Sequence, residues 1–326
     1  MAKKLAIPWE LKHDWAMRGW ASSHRGYLYA NRKKYGPAAA LDLFERAQKI
    51  DERVKNFANA ILTIFNLKGN DCETIGEILD IWDELTGTEA GLLKRSKIIN
   101  RRKVTKCPLE TGYEDISDWS LSFFDIMGKI VNPKVILERP KGMCAGDPYC
   151  EYVWRLQEKT SNEVTVKTTV KKMKIPWELK YNFAMKGWTS NHKSWLYALR
   201  EKYGALEAIR MYETFNEMGD RIKNIANTIR TIFKLEGNDC ETIGKCWDIW
   251  HELAGQDTNI LERSKTINRW RIIKCPFQTE YKDISDWCNR FDHVIGSTIN
   301  PNATWEMITC MCAGDPYCEC VVKLEE

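Results

Sequence analysis

Ile7-Pro-Trp-Glu-Leu-Lys12 returns 168 residues later as Ile175-Pro-Trp-Glu-Leu-Lys180. The offset holds without a gap to the end of the chain: Cys72 falls on Cys240, Cys107 on Cys275, Cys144 on Cys312 and Cys150 on Cys318. Roughly half of the paired positions are identical. A period this long is a whole domain rather than a solenoid unit, and 326 residues suffice for two. The sequence therefore predicts one repeat domain over 1–158, a linker over 159–174 and a second repeat domain over 175–326. The spacer is rich in Lys, Thr, Val and Ser, as expected of an extended, exposed linker.

Two copies in one chain show which stretches drift. Leu41 to Ile50 shares only Glu45 with its counterpart, whereas Met143-Cys-Ala-Gly-Asp-Pro-Tyr-Cys-Glu151 is unchanged at Met311 to Glu319. Within a copy, Pro8 suits a helix start. Trp9 to Tyr35 then reads as helix, with a break near Ser22, until Gly36 and Pro37 end it. Ala38 to Phe65, and Ala205 to Phe233 in the second copy, carry apolar residues at helical spacing. Asn70 as cap with Glu73 three residues on reads as a capping box for a helix that stops at Gly87. Lys97 to Lys106 reads as a strand, Asp115 to Gly128 as a helix, and Val135 to Glu138 and Tyr149 to Leu156 as strands around the Ala-Gly-Asp-Pro turn. Helices followed by strands predict an α+β fold: in each repeat, N-terminal helices and a small sheet that ends in a cysteine-bearing hairpin.

The composition, 44% hydrophobic and 29% charged, is that of a soluble globular chain. The net charge of +4 and a pI near 8.3 argue against a nucleic-acid partner. The one basic cluster, Lys167 to Lys174, lies in the linker. No signal peptide precedes Ile7, and no apolar run approaches the ~20 residues that cross a bilayer. A cytoplasmic location follows as the expectation, with the 12 cysteines as thiols, metal ligands or redox groups rather than disulfides.

In the last hairpin a turn centred near Asp315 makes Cys312 and Cys318 equidistant from it, and likewise Cys310 and Cys320. All four thiols then share one face as two cross-strand pairs. The first copy has Gly142, Cys144, Cys150 and Tyr152 at these positions. If the strand ending in Cys107 or Cys275 neighbours the hairpin, three thiolates converge in each copy. Three soft ligands with an open position suit zinc. Candidates for the fourth ligand are Asp147 and Asp315, or Glu138 and Glu306, and in the second copy Cys288, where the first has Ser120. An iron–sulfur cluster on the thiol-rich second copy is the alternative, and burial as small hydrophobes is the plainer reading of any one cysteine.

Cys72 and Cys240 sit at predicted helix starts, where a helix dipole lowers a thiol pKa; simple packing is the competing reading. His24 and His192 recur on the first helix as structural or solvated residues. Among the 14 tryptophans, Trp9, Trp20, Trp177 and Trp188 are candidates to line an apolar pocket; Trp82, Trp119, Trp250 and Trp287 read as core.

Cys107-Pro108, a helix with Trp119, Asn132-Pro133 and Gly146-Asp147-x-x-Cys150-Glu151, repeated as Cys275-Pro276, Trp287, Asn300-Pro301 and Gly314-Asp315-x-x-Cys318-Glu319, resemble the L-2-amino-thiazoline-4-carboxylic acid hydrolase-like family. That family is related to the small-molecule-binding 4-vinyl reductase domain. The resemblance covers the C-terminal third of each copy. It implies helices packed on an antiparallel sheet and a cysteine-rich metal site beside an apolar pocket. It also implies dimer-forming relatives, whose pair a fused tandem would make within one chain. The expected function is small-molecule binding with a cysteine-ligated metal in each repeat. A metal-assisted hydrolase of a small sulfur heterocycle, with Asp147, Asp315, Glu151 or Glu319 moving protons, is the second expectation. An iron–sulfur or thiol redox protein is the third.

Overall fold

The computed structural model describes residues 6–48, 50–157, 174–217 and 220–324, without the side chains of 48, 50, 51, 53, 115–119, 216, 217 and 284–287. The linker expected at 159–174 thus lies outside the described residues save for Lys174, as do the side chains of Trp119 and Trp287. The first repeat runs α1 (Trp9–Tyr35), α2 (Pro37–Gln48), α3 (Ile50–Ile64), α4 (Cys72–Thr86), β1 (Glu89–Ser96), β2 (Ile99–Lys106), α5 (Glu114–Val131), β3 (Val135–Lys141) and β4 (Cys150–Leu156). The second repeats the order as α6 (Trp177–Tyr203), α7 (Ala205–Glu217), α8 (Arg221–Phe233), α9 (Cys240–Leu253), β5 (Asp257–Arg263), β6 (Ile267–Lys274), α10 (Ile284–Ile299), β7 (Ala303–Thr309) and β8 (Cys318–Leu324). The sheets are antiparallel, ordered β1-β2-β4-β3 and β5-β6-β8-β7. The fold is α+β, as the order of elements predicts.

Four local expectations are corrected. The first helix is unbroken at Ser22, and the Ser23 hydroxyl is satisfied by donating to the Trp20 carbonyl at 2.9 Å within the helix. In the second copy the long amphipathic stretch is two helices, and Asp220, at φ +49°, turns the chain between α7 and α8. The α4 cap is Asp71, whose carboxylate accepts from the Thr74 N–H at 3.0 Å, not Asn70. The strand β1 is an addition: Glu89–Ser96 is exposed along most of its length and lacks a clean alternation.

The chain compacts into two bodies whose boundaries are not those of the repeats. One comprises Pro37–Ala184, and the other Met1–Gly36 with Met185–Glu326. We refer to them as the first and second body. The first body takes its final helical turns from the start of α6: Phe183 lies 5.4 Å from Phe57 and 6.0 Å from Trp82 between ring centres, and Lys180 pairs with Glu84. The second body takes α1 in the matching role: Trp15 meets Trp250 edge-on at 6.4 Å, and Lys12 pairs with Glu252. These are the same contacts under the 168-residue offset, made by the helix of the other repeat.

Trp20 and Trp188 have their explanation in the second body. A Cβ on Gly19 would lie 2.5 Å from the Trp188 ring, and one on Gly187 would lie 2.5 Å from the Trp20 ring. Each tryptophan covers the glycine of the other helix, so only glycine permits this close α1–α6 crossing. Tyr35 stacks on Tyr203 at 4.4 Å further along.

Candidate metal centre

The turn between β7 and β8 decides where the sulfurs go. Gly314 adopts φ +99° at the end of a 3-10 turn, Met311–Ala313, a conformation that only glycine takes without strain. The Asp315 carboxylate accepts from the Cys310 N–H at 2.7 Å and closes the loop. The first repeat copies this: Gly146 at φ +94°, and Asp147 accepting from the Gly142 N–H at 2.8 Å. One carboxylate oxygen of each aspartate thereby holds the turn.

The expected pair of cross-strand thiol ladders is not formed. Cys312 sits in the 3-10 turn and Cys310 just beyond the end of β7, while Cys320 stands opposite Met307 and Trp270. The turn gathers the inner thiols instead. Cys312 adjoins Cys288 and Cys310, and Cys318 adjoins Cys310. Those contacts hold Cys312 and Cys318 below the ordinary thiol range and push Cys288 and Cys310 up. Cys275, at the end of β6, adjoins Cys312 and Cys318, and burial pushes it up to about 11.

Three sulfurs also receive N–H donors. Met311 N–H donates to Cys318 at 3.2 Å, Thr279 N–H to Cys312 at 3.3 Å, and the Gln256 amide to Cys275 at 3.1 Å. A neutral thiol is a weak acceptor, so fixed N–H donors aimed at sulfur favour the thiolate state. Contacts of this kind tune thiolate ligands where a metal is bound.

A chamber of about 50 Å³ opens over these thiols, walled by Trp247, Trp250, Phe277, Met307 and Met311. Its volume is far below the ~300–1,000 Å³ of small-molecule sites, a size that suits an ion and small ligands. Asp292 faces the chamber from α10, one turn beyond Cys288; it is 8% exposed, has no hydrogen-bond or ion-pair partner among the described residues, and burial raises its carboxyl pKa well above the usual range. Among the described residues no three His, Cys, Asp or Glu side chains already converge as a ligand set. The thiols instead share protons with one another. The donor set, soft sulfur with one carboxylate, is still of the type that holds zinc or another soft cation once those protons leave.

In the first body the same positions are closed. Cys107, Cys144 and Cys150 lie near one another, with Met143 N–H donating to Cys150 at 3.2 Å and the Thr111 hydroxyl 3.5 Å from Cys144. Burial pushes Cys107 up to about 12. Phe124 replaces Asp292 and packs on Tyr152 at 4.9 Å, the residue that replaces Cys320. Arg139, replacing Met307, donates to Ser120 at 3.3 Å.

The remaining candidates separate cleanly. Glu151 is bound by Arg101 at 2.7 Å, and Glu319 by Arg269 and Arg271, each at 2.7 Å. Arg271 first and Arg269 second hold the Glu319 carboxyl low, which disfavours it as a proton carrier. Glu138 faces Arg155 at 3.8 Å, and Glu306 is exposed. Trp9 and Trp177 are about 40% exposed, each under a lysine 4.2 Å away; with Trp20 and Trp188 packed on glycines, none of the four lines the chamber. Trp188 backs two of its walls, Trp250 and Phe277. Cys72 and Cys240 are buried and donate to the Trp154 and Val322 carbonyls at 3.7 Å; burial pushes them to about 12 and about 11. They are packing residues.

Sequence reasoning missed Asp292, Gln256 and His251, all of which line the chamber. The signal was present in the repeat: Asp292 stands where the first copy has Phe124, and His251 where it has Asp83. It also missed a larger cavity of about 480 Å³ in the second body, between α7, α8, α10 and β7, with Tyr212, Ile222, Phe291, Val294 and Trp305 among its walls. Among the described residues no helix is long and apolar enough to cross a membrane. Comparison of the chain with protein-family models, with curated proteins and with solved structures gives no match.

Proposed function

We propose that the chain is a tandem small-molecule-binding protein whose second repeat holds a soft metal ion, zinc by preference, on thiolates drawn from Cys275, Cys288, Cys312 and Cys318. The carrying observation is that Cys275, Cys288, Cys312 and Cys318 line one small chamber, with an N–H donor on Cys275, Cys312 and Cys318. Burying this many thiols beside one another offers little as packing, because small hydrophobes would fill the space without their polar demand. It is what a thiolate-bound cation requires. The reading agrees with the resemblance to the thiazoline-carboxylate hydrolase-like family.

Cys107, Cys144 and Cys150 form a reduced version of the site in the first body. The organic ligand belongs in the 480 Å³ cavity, which falls within the ~300–1,000 Å³ of small-molecule sites. α10 supplies Cys288 and Asp292 to the chamber and Phe291 and Val294 to the cavity. Twelve free cysteines fit a reducing, cytoplasmic setting.

The test is metal analysis of full-length protein purified without oxygen. About one zinc per chain, lost in the Cys288→Ser/Cys312→Ser double variant and kept in Cys107→Ser/Cys144→Ser, is expected. Protein that stays metal-free after exposure to zinc overturns the reading.

A further inference from the structure

We infer that Asp292 is itself a metal ligand, so that the second-repeat centre is a mixed sulfur–oxygen site rather than an all-sulfur one. The inference rests on the metal reading above and adds the residue that sets the chemistry of the ion.

Asp292 lacks a partner among the described residues. It is a carboxylate on the inner face of α10, more than nine-tenths buried. Other buried acids in the molecule are answered: Glu319 by two arginines, and Glu151 by Arg101 at 2.7 Å. A buried carboxylate without a partner is costly, so natural cores pair it or give it to a metal. Nothing in the packing calls for one here, since the first repeat fills the position with phenylalanine.

Its neighbours carry the same deficit. The Gln256 amide oxygen and His251 Nδ1, both of side chains that line the chamber, are buried without partners. Polar groups left open around one small space point to something that occupies it. The occupant is a cation: Asp292 shares the chamber with Cys275, Cys288, Cys312 and Cys318, and an anion or a neutral molecule would leave carboxylate and thiolates facing each other. The size of the chamber suits an ion and small ligands. Cys288 and Asp292 are four residues apart on one helix, the spacing that brings two side chains to the same face. With a sulfur–oxygen donor set the ion keeps the more exchangeable coordination of catalytic and sensing zinc sites, rather than the closed thiolate cage of structural ones.

Cobalt(II) added to reduced full-length protein reads this directly, because sulfur-to-cobalt charge-transfer absorption grows with the number of thiolates. Wild type should bind cobalt in tetrahedral geometry. Asp292→Asn, nearly isosteric, should bind it at least ~100-fold more weakly, beyond the 10–100-fold of a lost outer-shell contact. Asp292→Cys should restore binding with a stronger charge-transfer band. Without metal, Asp292→Asn should melt at or above the wild-type temperature, which separates a ligand from a structural prop. Asp292→Asn binding within twofold of wild type, with an unchanged spectrum, would overturn the inference and leave the thiol site standing. A wild type that gives no charge-transfer band would remove both.

Discussion

The two bodies share a backbone plan and fill it differently. In the first, Phe124 meets Tyr152, Trp154, Phe123 and Trp82, at 4.9, 6.2, 5.3 and 6.5 Å between ring centres. In the second, Asp292 and Cys320 occupy the Phe124 and Tyr152 positions, and the aromatic mass has moved elsewhere. Trp247, Trp270 and Trp305 contact one another at 5.1 to 5.9 Å, at positions that hold Leu79, Arg102 and Leu137 in the first repeat. The buried Arg102–Asp83 pair of the first body becomes the Trp270–His251 contact of the second. One scaffold thus supports either a filled aromatic core or a core displaced sideways to leave a thiol-lined chamber. Loss of ring volume at two positions is what makes room for the chamber.

Acid is the strongest lever on this difference. All five histidines, at 13, 24, 192, 251 and 293, belong to the second body. Burial lowers His24 to about 4 and His192 and His251 to about 3. Below the ordinary value of about 6.5 the unfolded chain takes up protons that the folded one refuses, so stability present above that pH is lost as pH falls. At pH 5 each contributes a loss of about 2 kcal/mol, about 6 kcal/mol together. The loss continues to about pH 4 for His24 and about pH 3 for the other two. Between pH 6.5 and 5 few carboxylates titrate, so regional hydrogen exchange should show the second body opening while residues 50–157 hold. Equal loss of protection in both bodies would contradict this.

The repeat, the helical order and the α+β class were readable because they rest on identity, periodicity and Gly-Pro punctuation, all local. The errors came from contacts between distant residues. Trp20 and Trp188 looked like pocket walls because their partners, Gly187 and Gly19, lie on the other copy's helix. The thiol ladder failed because Met311–Ala313 coils into a 3-10 turn, which takes Cys310 and Cys312 out of the strand register. Asp292 went unnoticed because an aspartate in a helix normally faces water; only its exchange with Phe124 betrays a buried position.

Phe124 and Asp292 give the second test. Phe124→Ala removes a ring that four aromatics contact, and should cost about 3 kcal/mol, at the low end for phenylalanine because the ring is only partly buried. Asp292→Ala in metal-free protein removes an unpartnered buried carboxyl and should cost close to nothing or raise stability. Urea unfolding of both variants measures the contrast. A Phe124→Ala cost below about 1 kcal/mol would mean that the first body is not the filled one.

Where the repeats agree, the same substitution should have the same effect. Asp71 and Asp239 cap α4 and α9 by accepting from the Thr74 and Thr242 N–H groups at 3.0 and 2.8 Å, and each also accepts from the threonine hydroxyl. The residue after each cap, Cys72 or Cys240, donates its own N–H to the turn before the second strand, at the Lys97 and Lys265 carbonyls, both at 2.9 Å. Each helix start is thereby tied to its sheet by backbone geometry that the duplication preserved. Asp71→Ala and Asp239→Ala should each cost about 1 kcal/mol. Helix starts far from the chamber do not sense what occupies it, so the two costs should match within a few tenths of a kcal/mol, and metal should change neither. A cost at Asp239 that grows on adding zinc would show that α9, which carries Trp247 and His251 into the chamber wall, transmits occupancy to its own N-terminus. The difference between the bodies would then extend from the side chains into the scaffold.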